Sequence, residues 1–174
     1  MNQEVKMKPS YLKIVFLDRD GTIIKDYPDE KWREIKEPEF LEGSIEGLKR
    51  LKEMGYYIII ITNQYLINDG IISLNDYQQF TGKFLKKIKE ENIDILKIYF
   101  CSHNEKDHCH YKKPKPGMIE QARKDFLIDM NSSIYIGDNQ VDYLLAQHFN
   151  LSFYRKSYHS ILDISKQIKK IQNK

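Results

Sequence analysis

The sequence predicts a doubly wound α/β fold, a mostly parallel sheet with helices packed on both faces. Short apolar runs rich in β-branched residues alternate along the chain with segments of helical periodicity. One run, Tyr57-Ile58-Ile59-Ile60-Ile61, is apolar throughout, the composition of a strand covered on both sides and so expected at the centre of the sheet. Polar residues follow one apolar run after another, as in parallel sheets that bind ligands beyond the carboxyl ends of their strands.

Leu12 to Leu17 reads as the first strand. Ser44 to Met54 carries Ile45, Leu48 and Leu51 at the spacing of an amphipathic helix, which Gly55 ends. After the isoleucine-rich strand, Ser73 to Lys89 reads as a helix opened by Ser73, with the carboxylate of Asp76 three residues on. Ile95 to Phe100 is the next strand and Gly117 to Phe126 the next helix. Ser133 to Ile136, Gln140 to Phe149 and Leu151 to Tyr154 repeat the alternation, and Ile161 to Ile171 closes it as a helix.

A chain of 174 residues, 41% of them hydrophobic, can bury one core, so residues 1–174 are expected to form a single domain with residues 1–10 as a loose leader. Lys plus Arg outnumber Asp plus Glu by 28 to 25, an excess too small to mark a nucleic-acid-binding protein. The longest apolar run is too short to span a bilayer and the first residues lack the apolar core of a signal peptide, so a cytoplasmic protein is expected, with a monomer as the default. The stretch from Lys25 to Gly43 is long for a strand-to-helix connection; it reads either as a small flap over the active edge or as a surface excursion pinned by Trp32.

The strand ends carry the chemistry. Asp18 and Asp20 follow the first strand, Thr62, Asn63 and Gln64 the second, Cys101 and the stretch to Lys113 the third, and Gly137, Asp138 and Asp142 the fourth. Residues i and i+2 of an extended chain project to one side, so the carboxylates of Asp18 and Asp20 repel unless a divalent cation, a shared proton or a lysine compensates. Arg19 is expected to point away from them. The set suits phosphate ester hydrolysis: Asp18 as nucleophile, Asp20 as acid and then base, and Mg²⁺ on the Asp18 side chain, the Asp20 carbonyl and the Asp138 side chain. Lys113 would neutralise Asp18 and phosphate together, and Thr62 would hold phosphate oxygens. Each residue also has a plainer reading. Asp138 reads as a helix cap, Asp142 as a group that only orients Lys113 or a metal-bound water, Thr62 as a strand-end cap and Lys113 as a surface lysine.

Taken in order, Asp18-Arg19-Asp20-Gly21-Thr22, Ile61-Thr62-Asn63-Gln64, Lys113-Pro114-Lys115-Pro116-Gly117-Met118 and Ile136-Gly137-Asp138 resemble the motifs of the haloacid dehalogenase superfamily of phosphatases. The spelling is most similar to the cap-poor subfamily IIIA, which includes heptose-bisphosphate and histidinol-phosphate phosphatases. That resemblance implies a haloacid-dehalogenase-like fold without a large cap and a Mg²⁺-dependent phosphomonoesterase acting on a small phosphorylated metabolite, foremost a sugar phosphate. Asn63 and Lys112 join Thr62 and Lys113 as its expected phosphate- and substrate-binding residues. Histidinol-phosphate phosphatase, polynucleotide 3′-phosphatase and a catalytically retired phosphate- or partner-binding module are the alternatives. Nucleic acid is not the expected partner.

Three departures from that subfamily bear on the site. Its metal loop spells Cys-x-His, five residues, Cys-x-Cys; here Cys101, His103 and Cys109 match, but Tyr111 holds the fourth position. A structural Zn²⁺ would then need His110 or His108 as its fourth ligand; otherwise the site is three-coordinate with water, weaker, or empty. Tyr65-Leu66-Ile67-Asn68-Asp69-Gly70 replaces a glycine-containing, arginine-bearing segment, and Lys112 stands where the heptose enzyme has arginine. Loss of the arginines weakens the expectation of a bisphosphate substrate.

Overall fold

The computed structural model describes residues 11–157 and 159–172, so the leader expected over residues 1–10 lies outside the described residues. Five parallel strands, β1 (Ile14–Leu17), β2 (Tyr57–Asn63), β3 (Ile95–Cys101), β4 (Ile134–Gly137) and β5 (Ser152–Arg155), pair in the order β3-β2-β1-β4-β5. Between and after them run α1 (Ser44–Glu53), α2 (Leu74–Glu90), α3 (Gly117–Asp125), α4 (Gln140–His148) and α5 (Ile161–Gln172). The expected doubly wound architecture is observed, and among the described residues no large cap domain interrupts it.

Strand alternation divides the core between two faces. Val15, Leu17, Ile58, Ile60, Ile134 and Ile136 pack with Leu48 and Leu51 of α1, Phe80 and Phe84 of α2, and Ile161, Ile164 and Ile168 of α5. Ile14, Phe16, Ile59, Ile61 and Tyr135 pack with Met118, Ile119 and Ala122 of α3 and Leu145 and Ala146 of α4. A period of two on the strands meets a period near four on the helices, and each sheet face is closed by an apolar stripe.

One expectation needs correction. The middle strand is β1, not the isoleucine-rich β2, which lies beside it. Apolarity on both sides of a strand reports that helices cover both faces, and any interior strand meets that condition whatever its rank.

The Lys25-to-Gly43 connection is pinned, as one of its two readings required. Trp32 is buried, its indole N–H donates to the Tyr27 carbonyl at 3.1 Å, and its ring meets those of Tyr27 and Phe80 edge-on. Arg33 donates to the Ile71 and Gly70 carbonyls, tying this connection to the segment after β2. The segment nevertheless sends Asp26, Asp29 and Trp32 to the rim of a cleft at the carboxyl edge of the sheet.

Candidate active site

β1, β2 and β4 end at one edge, and that edge is lined by Asp18, Asp20, Thr62, Asn63, Gln64, Lys112 and Lys113. Asp18 is buried, its N–H bonded to the Ile136 carbonyl of the neighbouring strand. Lys113 is equally buried and bridges two carboxylates, with Nζ 2.6 Å from Asp18 Oδ1 and 2.7 Å from Asp142 Oδ1. Lys113 is therefore no surface lysine. Asp142, four residues after Asp138 and fully buried, also accepts from the Tyr135 hydroxyl at 3.0 Å.

Two glycines make room for these acids. A Cβ at Gly137 would come within 2.5 Å of the Asp142 carboxyl carbon. At Gly21, where φ is +81°, a Cβ would land on the Asp138 carboxylate. Asp138 is not the helix cap: Asn139 caps α4, its Oδ1 accepting from the N–H groups of Val141 and Asp142. One oxygen each from Asp18, Asp138 and Asp142 lies within 4.8 Å of the others.

Electrostatics follow from this crowding. Burial pushes the Asp18 carboxyl well above the usual carboxylate range, and the neighbouring Asp142 and Asp20 add to that against the opposing pull of Lys113. Asp138 is raised by burial and by Asp142. Burial works against the charge on Lys113, but Asp18 and Asp142 outweigh it and its pKa is raised. Three acids around one ammonium leave an excess of negative charge, the condition under which a hard cation is held by carboxylate oxygens.

Asp20 has its own support, and here the sequence expectation fails. Arg19 does not point away: it is buried, and its guanidinium forks onto Asp20 with Nε–Oδ1 2.9 Å and Nη2–Oδ2 3.0 Å. β1 ends at Leu17, so strict side-to-side alternation no longer governs residues 18–20. Nη1 of Arg19 donates to Thr81 at 3.1 Å, and the guanidinium lies against the rings of Tyr77 and Phe80. Gln64, read only as part of a motif, donates to Asp20 Oδ2 at 2.6 Å and to the Thr62 hydroxyl at 2.9 Å.

Asn63 was expected to bind phosphate, but its side chain is already engaged. Its Nδ2 donates to the Lys113 carbonyl at 3.2 Å and its Oδ1 accepts from the Lys113 N–H at 2.9 Å. That reciprocal pair fixes the backbone of the residue whose ammonium reaches Asp18. Lys112 lines the cleft, with its ammonium 2.6 Å from Glu105.

Cys101, His103 and Cys109 gather beside this edge, with Cys101 Sγ 3.7 Å from Cys109 Sγ and 3.6 Å from His103 Nδ1. His110 does not join them. Its Nε2 lies 2.7 Å from Glu120 Oε2, because α3 begins at Gly117 and presents Glu120 to the outgoing loop. Two loops that depart from the expected spelling also bond to each other: Asn68 donates to Asp107 and Asn104 donates to Asp69.

A model of the polynucleotide kinase 3 phosphatase family matches residues 13–165. The chain is 42% identical over 144 residues to a D-glycero-α-D-manno-heptose-1,7-bisphosphate 7-phosphatase of Photorhabdus laumondii, covering 78% of this chain and 77% of that protein. It is 38% identical over 141 residues to the D-glycero-β-D-manno-heptose-1,7-bisphosphate 7-phosphatase of Pasteurella multocida, covering 78% and 76%. The fold is similar to that of D,D-heptose 1,7-bisphosphate phosphatase from B. bronchiseptica, solved with magnesium and phosphate, at TM-score 0.80 and 19% identity over 92% of this chain and 99% of that one.

Proposed function

The chain belongs to the polynucleotide kinase 3 phosphatase family and is a phosphatase of the haloacid dehalogenase superfamily, and from that premise we propose that it is a Mg²⁺-dependent phosphomonoesterase acting on a sugar phosphate. The observation that carries the reading is the buried Lys113 ammonium held between Asp18 and Asp142, beside Asp20 and Asp138.

Asp18 attacks phosphorus as the phosphate ester bond breaks, giving an aspartyl phosphate, and Asp20 gives its proton to the departing sugar oxygen. Water then attacks the aspartyl phosphate, Asp20 takes the water's proton, and Asp18 is regenerated as inorganic phosphate leaves. Lys113 offsets charge on Asp18 and on the phosphoryl oxygens, while Asp142 and Asn63 hold the lysine in place. Arg19 and Gln64 orient Asp20. Thr62 presents its hydroxyl to the phosphoryl group from the end of β2.

The carboxylates suit Mg²⁺. Asp18 and Asp138, with the Asp20 carbonyl, are the groups that would hold it; Asp142 is committed to Lys113 and Tyr135. Bound Mg²⁺ supplies charge neutralisation on the transferring phosphoryl oxygens. The cysteine loop suits Zn²⁺ in a structural role, since sulfur ligands about 2.3 Å from a tetrahedral ion stand about 3.8 Å apart. The Cys101–Cys109 separation of 3.7 Å matches that edge. With His110 held by Glu120 and His108 outside the Cys101, His103 and Cys109 cluster, the fourth position would fall to water.

Release of inorganic phosphate from a panel of sugar phosphates with Mg²⁺ tests the reading. Wild type is active, chelation abolishes turnover, and Asp18→Asn lowers kcat on the order of a thousandfold or more. Equal inertness of wild type and Asp18→Asn on every ester would sink the enzymatic assignment. Activity confined to DNA 3′-phosphates would overturn the choice of a sugar. Among the described residues no helix is long and apolar enough to cross a membrane; the enzyme is proposed to work as a cytoplasmic monomer.

A further inference from the structure

We propose that this cleft selects monophosphate esters whose remaining part carries hydroxyls or an amine and no second anion, so that bisphosphates and nucleic-acid ends are poor ligands. The inference rests on the phosphatase reading above and concerns the part of the cleft that would receive the rest of the substrate.

Away from the reaction centre, the charged residues lining the cleft are Asp26, Asp29, Glu105 and Lys112. Three carboxylates face one ammonium. That ammonium already has a partner, Lys112 Nζ standing 2.6 Å from Oε1 of the exposed Glu105 and over the Tyr65 ring, 5.4 Å from its centroid. Lys113 is engaged with Asp18 and Asp142. Arg33, on the loop that supplies Asp26 and Asp29, spends its guanidinium on the Gly70 and Ile71 carbonyls.

The acidic side is also held in place. Tyr65 donates its hydroxyl to Asp29, and Asp26 Oδ1 accepts from the Tyr27 N–H and the Trp32 indole N–H. A second phosphate entering here would meet carboxylates or have to displace Glu105 from Lys112. Carboxylates instead suit sugar hydroxyls as hydrogen-bond donors and attract an ammonium. A polyanionic strand end meets the same repulsion along more of its length.

The test compares D-glycero-D-manno-heptose 7-phosphate with the 1,7-bisphosphate in two ways. Calorimetric binding to Asp18→Asn protein with Mg²⁺ is expected to favour the monophosphate at least tenfold, and kcat/KM of the wild type is expected to follow. In an Asp29→Asn/Glu105→Gln double variant, whose fold is checked by circular dichroism, the monophosphate-to-bisphosphate ratio is expected to fall about tenfold as Lys112 is released. A bisphosphate bound as tightly as the monophosphate, a ratio unmoved in the double variant, or no binding of either sugar overturns the proposal. Rapid turnover of the bisphosphate would sink it while leaving the phosphatase reading intact. Discrimination in binding without phosphate release from any sugar would do the reverse.

Discussion

The Asp142 carboxylate holds the Lys113 ammonium at 2.7 Å, with both side chains sealed from solvent. Removing one member of a buried pair leaves the other charge poorly compensated. Asp142→Asn keeps the shape and an acceptor for Tyr135 but weakens the grip on Lys113. We expect kcat to fall about 10- to 100-fold, with a smaller change in KM, and stability to drop by about 3 kcal/mol. Phosphate-release kinetics and urea unfolding measure both. The raised Lys113 pKa means that the folded state holds this proton more tightly than the unfolded one. Its stabilisation is therefore complete at neutral pH and is lost only in alkali, above the ordinary lysine value of 10.5.

The fork between Arg19 and Asp20 gives a second test. A lysine at position 19 keeps the charge but loses the planar bidentate grip and the contact with Tyr77 and Phe80. Arg19→Lys should lower kcat about tenfold, less than the roughly 100- to 10,000-fold that a general acid–base group contributes, because Asp20 itself remains. Arg19→Met, which leaves Asp20 without its guanidinium, should also cost about 3 kcal/mol in urea unfolding. Unchanged kcat in both variants would remove Arg19 from the positioning of Asp20.

Tyr65 offers a pH test at the cleft wall. Burial, the hydrogen bond to Asp29 and the nearby carboxylates push its hydroxyl from 10.0 up to about 12. A raised pKa stabilises the fold while the proton is on, so this contribution is whole below pH 10.0 and is lost as pH rises through about 12. Several tyrosines ionise late, the buried Tyr135 and the Asp125-bonded Tyr99 among them, so ultraviolet titration of tyrosinate should lose one of the late-ionising groups in Tyr65→Phe. A titration curve identical in shape for the two proteins would place Tyr65 outside the Asp29 contact.

The Cys101, His103 and Cys109 cluster makes a metal prediction. Purified protein should carry about one Zn²⁺ per chain by mass spectrometry, and Cys109→Ser should lose it. Because the same loop runs on to Lys113, chelation of Zn²⁺ should lower the melting temperature and, with Mg²⁺ restored, leave phosphate release impaired. Zinc no higher than in Cys109→Ser would refute a bound structural ion.

Much of the fold could be read from the chain. The strand and helix positions agree with the observed elements to within about two residues, and Ser73 caps α2 with the expected reciprocal bonds to Asp76. Asp18, Asp20, Thr62 and Lys113 come together at one edge, as four strand-end motifs implied. Arg19 turns to Asp20 because strand alternation stops at the last strand residue, Leu17. Nothing local distinguishes Gln64, an amide that supports a carboxylate, from one that meets solvent. Spacing alone offers His110 or His108 to the cysteines, yet His110 pairs with Glu120, whose approach depends on where α3 begins.

The sequence by itself determined the alternation of strands and helices, the two-sided core and the residues gathered at the carboxyl edge, because periodicity and strand polarity are local properties. Only the tertiary structure decided that β1 is the middle strand, that Asn63 holds the Lys113 backbone and that Asp142 holds its ammonium. It also decided that Lys112 is spent on Glu105 at an acidic cleft wall. Lys113 and Asp18 lie 95 positions apart, and Lys113 and Asp142 lie 29 apart. Which charge such a side chain meets is set by the crossovers that bring separate strand ends together, and burial then gives that meeting its energetic weight.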